Sequence, residues 1–170
     1  MLAYHPALDP YHTSFRMLRL MDRTEQTELS DSQLRILDFY FVFPSLIAKI
    51  NFPQELRGWR SRLKRPHNPY HVSGNAHLIF QQVRPVQESA IRLLSAQGMA
   101  KIVDSGVVSL SILPDRIPRV VADLIGDRNK DESEAPLVEF LAVHLAKLPL
   151  TGPRGLKART GLMEARYDAV

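Results

Sequence analysis

Hydrophobic positions near the start of the chain recur at the spacing of an α-helix. Phe15, Leu18 and Met21 fall three residues apart, and arginines occupy positions on the other side. Apolar residues repeated at this interval line one face of a helix. The pattern therefore predicts a short amphipathic helix over residues 11–22, followed by a polar loop over 24–28.

The next hydrophobic stretch, residues 34–43, is apolar on nearly every side. Ser30 and Gln33 have the spacing of a capping box, in which each side chain bonds to a backbone N–H at the start of a helix. The aromatic and β-branched residues of this stretch also favour a strand. We interpret it as a helix because the run is long, and such a helix must be buried on most sides. Pro44 should end or kink it.

Two helices and a hairpin are predicted in the middle of the chain, beyond a proline-rich loop region that carries a short helix near residues 54–63. Residues 76–83 predict a short helix that Pro85 breaks, because proline lacks the N–H that an interior helical position donates. Residues 86–97 predict a second helix. Two short apolar runs then flank the turn residues 104–106 and predict a β-hairpin.

Helices followed by a hairpin have the order of a winged helix-turn-helix domain. Helix 34–43 would be its first helix and the hairpin its wing. The sequence therefore predicts a mostly α fold with a small β-hairpin wing, as a winged helix-turn-helix-like domain with flanking helices. We divide the chain into an N-terminal helical segment (1–30), a winged-helix-like core (31–126) and a C-terminal helix with an interface tail (127–170).

Three further segments are predicted in the C-terminal part. Residues 114–125 have a helical pattern, and 127–134 form a charged connector. Residues 136–148 predict an amphipathic helix, because their apolar positions recur at helical spacing. The tail from Thr151 shows no strong periodicity.

Composition narrows the class of protein. The chain has 170 residues and a net charge of +4, which suits one domain with a core and a mildly basic surface. It has no cysteine, which excludes disulfides, thiolate zinc sites and cysteine nucleophiles. The N-terminus lacks the pattern of a signal peptide, and no apolar run approaches the roughly 20 residues that span a bilayer. We therefore expect a cytoplasmic protein with no membrane contact.

Catalytic motifs are missing from the sequence. It has no glycine-rich phosphate loop, no serine-hydrolase elbow and no zinc-protease motif. His67 and His71 have the spacing of two metal ligands on a helix, but Pro69 between them makes a solvated loop the simpler interpretation. His144 lies on an apolar helical face and is interpreted as a core residue. We expect no enzymatic activity, no cofactor and no metal.

A basic cluster surrounds the only tryptophan. Its members are Arg57, Trp59, Arg60, Arg62, Lys64 and Arg65. Such a set can neutralise phosphates as a nucleic-acid site, dock an acidic protein, or be a solvated loop, and the sequence leaves all three open. The helix that would enter a DNA groove carries only one arginine, Arg92, which favours protein contacts over sequence reading.

Three blocks of the sequence together resemble a known family. They are DPYHTSFRMLRL at residues 9–20, LRILDFY at 34–40 with Phe43-Pro44, and GLKARTGLME at 155–164 with Arg166-Tyr167. They resemble the middle component proteins of bacterial ABC-three-component systems. The resemblance touches both ends of the chain, and none of the blocks is a catalytic signature.

The resemblance implies a function in defence against phage or plasmids. Such systems pair a middle component with an SMC-like or ABC-type ATPase and with an effector, and Lamassu systems, with a nuclease-type effector, are similar. The chain would then be the accessory adaptor subunit, reaching DNA through the complex. A stand-alone winged-helix DNA-binding transcriptional regulator is the alternative, and an enzyme of unknown type is a third interpretation.

The terminal blocks are rich in arginine and aromatic residues, as is expected of interface segments that become ordered on assembly. The residues predicted to bind a partner are Tyr11, His12, Phe15, Arg16, Arg19, Arg159, Arg166 and Tyr167. For Phe15, burial in the core is the simpler interpretation.

Overall fold

The computed structural model describes residues 5–63 and 74–163. Within these ranges the chain is mostly helical with one small antiparallel sheet, which confirms the mostly α part of the predicted fold. The winged helix itself stays a prediction. Several residues singled out in the sequence lie outside the described ranges: Lys64, Arg65, His67, His71, Arg166 and Tyr167.

Helix α1, Pro10–Arg23, confirms the first predicted helix. The Asp9 carboxylate caps it by accepting hydrogen bonds from the backbone N–H groups of Tyr11 and His12, at 2.8 and 3.2 Å. An acidic residue at this position satisfies free N–H groups and complements the positive end of the helix dipole. The start of α1 is therefore fixed by its own local sequence.

Helix α2, Asp31–Val42, follows directly on a two-residue strand β1, Leu29–Ser30. Its capping box is formed, with Ser30 Oγ accepting from Gln33 N–H and Gln33 Oε1 accepting from Ser30 N–H. All seven residues from Leu34 to Tyr40 are buried, as the apolar pattern predicted. A 3-10 helix begins at Pro44, so the proline ends α2 as expected.

Residues 54–63 form only short helical turns, Gln54–Leu56 and helix α3, Trp59–Arg62. Helix α4, Ala76–Ala96, then runs without a break through Pro85, so the prediction of two helices divided there was wrong. Pro85 is exposed, and so is Gln81, whose carbonyl loses its partner and can bond to water. Buried positions keep one helical spacing across the proline, and their burial outweighs the lost hydrogen bond.

Strands β2, Ala100–Asp104, and β3, Val108–Ile112, confirm the predicted hairpin. Strand β1 adds to it, with Leu29 opposite Leu110, and gives the sheet order β1-β3-β2. A two-residue strand has too little periodicity to be recognised in a sequence.

Helix α5, Arg119–Lys130, begins later than the predicted 114–125 and takes up the first half of the predicted charged connector. Helix α6, Ala135–Glu139, continues through the π-helical turn Phe140–His144 and a 3-10 turn. This confirms a helical segment where 136–148 was predicted. A last short helix, α7, Leu156–Thr160, lies in the tail and was not predicted.

One hydrophobic core joins residues from the start, middle and end of the chain, among them Met17, Phe39 and Phe140. Each of these three is at most 1% exposed. The division into segments 1–30, 31–126 and 127–170 stays a prediction. Among the described helices, none is long and apolar enough to cross a membrane.

Candidate partner-binding surface

An apolar groove opens between α1, the end of α4, the turn that precedes β2, and α5. It has a volume of about 390 Å³. Its apolar walls include Tyr11, Phe15, Leu18, Leu93, Met99 and Val121. A groove of this size can take the apolar side chains of another molecule.

Tyr11 and Phe15 lie one helical turn apart and therefore share a face of α1. Tyr11 is 73% exposed and Phe15 is half-buried. A large aromatic side chain left open to water beside an apolar groove is the kind of residue that anchors a protein interface. The structure thus brings two of the predicted partner-binding residues to one groove, and it places Phe15 partly outside the core.

Arg16 lies on the side of α1 that packs against α2 and is buried, with 7% exposure. Its Nε donates to Asp38 Oδ1 at 2.7 Å, and Nη2 donates to Thr13 Oγ1 at 2.8 Å. Gln87 Nε2 donates to the other carboxylate oxygen of Asp38 at 2.9 Å. A buried ion pair needs such additional hydrogen bonds to offset the loss of hydration. The cluster joins α1, α2 and α4.

Arg35 extends this cluster along α2. Its Nε lies 3.4 Å from Gln87 Oε1, and its guanidinium lies 5.2 Å from the centre of the Phe80 ring. Burial lowers the pKa of the Arg35 guanidinium from its ordinary value, and nearby Asp31 partly opposes this.

Arg19 forms a second buried cluster, between α1 and α5. It is 4% exposed. Its Nε donates to Asn129 Oδ1 at 2.9 Å and Nη2 donates to the carbonyl of Arg128 at 3.0 Å. Nη1 lies 2.9 Å from Glu134 Oε2. A cation bonded to the last carbonyls of a helix satisfies them and complements the helix dipole, so Arg19 fixes the end of α5 against α1.

Arg16 and Arg19 therefore act within the chain in this fold. They hold α1 against its neighbours and so position the groove wall that carries Tyr11 and Phe15. Their contact with a partner was inferred from sequence alone and stays a prediction. The helical spacing did not predict that the two arginines are buried, because their acceptors, Asp38 and Asn129, come from distant parts of the chain.

Of the remaining predicted partner residues, His12 and Arg159 lie apart from the groove lining. His12 is exposed on α1, beside Tyr11. Arg159 is half-buried and connects the tail to the loop after α2, donating from Nη1 to the carbonyl of Asn51 at 2.8 Å. Arg166 and Tyr167 lie outside the described residues.

Trp59, at the centre of the predicted basic cluster, is only 6% exposed. It packs against Phe140, with ring centres 5.5 Å apart, and against His144, at 4.9 Å. The guanidinium of Arg62 lies 4.3 Å from its ring centre. The tryptophan is therefore engaged by its own chain and does not offer an open ring for a base to stack on.

The described arginines of this cluster differ in their surroundings. Arg57 is exposed. Arg60 donates to the carbonyl of Ile50 at 2.9 Å and lies 5.1 Å from the centre of the Phe52 ring. Nucleic-acid binding by the cluster stays a prediction. Among the residues that the structure describes, no group of three or more His, Cys, Asp or Glu could hold a metal ion.

Sequence reasoning missed the other walls of the groove. Leu93, Met99 and Val121 come from α4, the turn before β2 and α5, which only the fold brings together. One sequence feature could have indicated the α5 wall: residues 120–125 are mostly apolar, although the rest of that helix is polar.

Comparison with known protein families finds a match that spans almost the whole chain. Residues 2–168 match the family described as ABC-three component (ABC-3C) system Middle Component 5. No curated protein and no solved structure matches the chain. The chain therefore belongs to the Middle Component 5 family, and membership implies an accessory role in an ABC-three-component system.

Proposed function

We propose that this chain is a non-catalytic adaptor in a bacterial defence complex that acts against phage or plasmid DNA. In that complex it connects an SMC-like or ABC-type ATPase to an effector, which we expect to be a nuclease. Family membership supports the assignment to an ABC-three-component system. The observation that carries the adaptor role is the open apolar groove with Tyr11 at its edge.

The groove supports a protein ligand better than a small substrate. Apart from Ser14 and Gln97, its lining residues carry only apolar groups and the Tyr11 ring. Neither of these two polar residues titrates near neutral pH, and a groove that performed acid–base chemistry would need such a group. We propose that an apolar helix face of the ATPase subunit occupies this site, as in other helix-in-groove interfaces.

The order of elements supports the winged-helix interpretation. A helix, a strand, two main helices and a hairpin follow one another, with short helical turns between α2 and α4, and β3 lies at the centre of the sheet. Winged-helix domains share this order. In it, α1 takes the place of the first helix, which the sequence had assigned to residues 34–43.

Binding of DNA by the chain alone has less support. On the exposed side of α4, Arg84 is paired with Glu88 at 2.6 Å, and Arg92 donates to Ser89 at 3.1 Å. A groove-reading helix would present several basic groups that are not engaged by neighbours in its own chain. If the chain were a stand-alone regulator, its DNA affinity would fall steeply with salt.

Co-purification tests the proposal. The tagged chain is expressed with the proteins of its neighbouring genes, as wild type, as Tyr11→Glu and as Leu78→Glu. Leu78 is a matched control, since it is 59% exposed on α4 and lies about 22 Å along the helix from Leu93. We expect an ATPase in fixed ratio with wild type and the control, and loss of the ATPase with Tyr11→Glu.

Two results would count against it. If Tyr11→Glu retains the ATPase in the wild-type ratio, the groove is not the docking site. If the wild-type chain is recovered alone and shifts DNA, the regulator interpretation replaces the adaptor.

A further inference from the structure

Helix α5 has an apolar stripe that is wider than the part its own chain covers. Ile125 is 2% exposed and Val121 is half-buried beside α1. Val120 and Leu124 lie one turn apart on the adjoining flank, and they are 79% and 47% exposed. One side of the stripe therefore packs on the core, and the other is open to water.

Unpaired charges border this open side. Arg119, Asp123 and Asp127 are spaced four residues apart on one face of α5, and all three are exposed. None of them forms an ion pair with a described residue. A cation in the first turn and acids farther along are the reverse of what the helix dipole favours. The stability of α5 therefore does not explain the arrangement.

We propose that this face of α5 joins two copies of the chain in a two-fold dimer with antiparallel α5 helices. In a two-fold interface the same surface of each copy meets itself. When Val120 of one copy lies opposite Leu124 of the second, Arg119 falls level with Ile125 of the second copy. That position lies midway between the second copy's two acids, Asp123 and Asp127.

Antiparallel pairing is required by the charges. Parallel helices would place Arg119 beside the second copy's Arg119, and the aspartates beside one another. One feature opposes the antiparallel register, because Arg128 falls level with Arg116 of the second copy. Each Arg119 has two acidic neighbours against this one repulsion, and the pair of apolar contacts forms on both sides of the axis.

The contact rests on one helix from each copy and is therefore smaller than the interfaces of permanent dimers. We expect it to be weak, with a dissociation constant on the order of 10 µM to 100 µM, as is common for contacts of small area. The dimer is independent of the adaptor role, because it concerns the purified chain without any ATPase.

Sedimentation velocity of the full chain over about 1–300 µM tests the dimer, with the range chosen to bracket a weak contact. Wild type should pass from monomer to dimer, and Leu124→Asp should weaken association at least about tenfold by placing a charge in the apolar contact. Leu78→Asp, an equal change at another exposed leucine, should leave association unchanged. Both leucines are exposed, so neither change should unfold the chain.

Charge exchange tests the register. Arg119→Asp makes the row of residues 119, 123 and 127 wholly acidic, and Asp123→Arg with Asp127→Arg makes it wholly basic. Each variant alone should associate less than wild type, and an equimolar mixture should form a mixed dimer. A chain that carries all three changes should dimerise with itself as wild type does.

The proposal is overturned if wild type stays monomeric up to the highest concentration, or if Leu124→Asp associates as wild type does. It is equally overturned if the acidic and basic variants do not associate when mixed.

Discussion

Charged side chains have opposite surroundings in two regions of the molecule: the junction of α1, α2 and α4, and the outer side of α5. At the junction, Arg16 and Asp38 are buried and bonded to each other. On the outer side of α5, Arg119 and Asp123 are exposed, and neither forms an ion pair within residues 5–63 and 74–163. The chain completes its own interactions where elements must hold their positions, and leaves charged and apolar groups open beside the groove.

The difference teaches which residues to interpret as functional. Arginine content alone suggested that Arg16 and Arg19 face a partner, yet both are held by groups of their own chain. Val120 and Leu124 attracted no attention in the sequence, yet they are among the most exposed apolar side chains that the structure describes. We therefore use exposure without a bonded group in the fold, rather than arginine content, to choose the residues that we propose contact another molecule.

The largest loss of stability is expected from Arg16→Met, which disrupts the buried ion pair at the junction. It leaves the Asp38 carboxylate buried without its cation, which typically costs about 3–5 kcal/mol. Urea denaturation should show this loss in the free energy of unfolding. Adding Asp38→Leu to the same chain should restore at least about half of the loss, because a buried ion pair can be replaced by apolar groups. A loss below about 1 kcal/mol for the single variant would contradict the paired-junction account.

The second effect in size is expected from Arg19→Ala. It removes hydrogen bonds from a charged group to Asn129 and to the end of α5, and we expect a loss of about 2–3 kcal/mol. Amide hydrogen exchange should accelerate first in residues 119–134, since Arg19 holds that segment to α1. Uniform acceleration over the whole chain would show that α5 is not separately anchored.

A smaller effect should follow from Ser30→Ala. The change removes the cap of α2 and should cost about 1 kcal/mol, since one N–H at the start of the helix loses its acceptor. Ser30→Asp should keep most of the stability, because aspartate is an equally good cap. Thermal unfolding of the three chains measures both differences. Equal destabilisation by alanine and aspartate would mean that the hydroxyl acts otherwise than as a cap.

The smallest change in stability should be that of Leu124→Asp. Because the side chain is exposed, the free energy of unfolding of the monomer should change by less than about 0.5 kcal/mol. Chemical denaturation at low protein concentration checks this. A loss above about 2 kcal/mol would mean that Leu124 belongs to the core of the monomer, contrary to its exposure.

Much of the fold followed from local patterns. The capping box at Ser30 and Gln33, the helix over Pro10–Arg23 and the hairpin all depend on neighbours in sequence, and all are confirmed. The break at Pro85 was wrong because tertiary burial of the α4 face overrides the proline's preference. Strand β1 depends on pairing with a strand about 80 residues away, which no local window contains.

The candidate site was predictable only in part. Tyr11 and Phe15 were identified from the N-terminal block, but the groove they border needs residues from α4, the turn before β2, and α5. Trp59 was grouped with the basic cluster as a possible binding residue, whereas the structure packs it against Phe140 and His144 from the far end of the chain. Contacts between distant segments decide both outcomes.

The adaptor role is tested most directly by titrating the purified chain into its co-purifying ATPase subunit by calorimetry, as wild type and as Tyr11→Glu. Buried anchors of this kind commonly contribute 2 kcal/mol or more, so the account predicts that the Tyr11 variant binds at least about 30-fold more weakly. Leu78→Glu should bind as wild type does. Equal binding of all three chains would contradict the claim that the groove holds the partner.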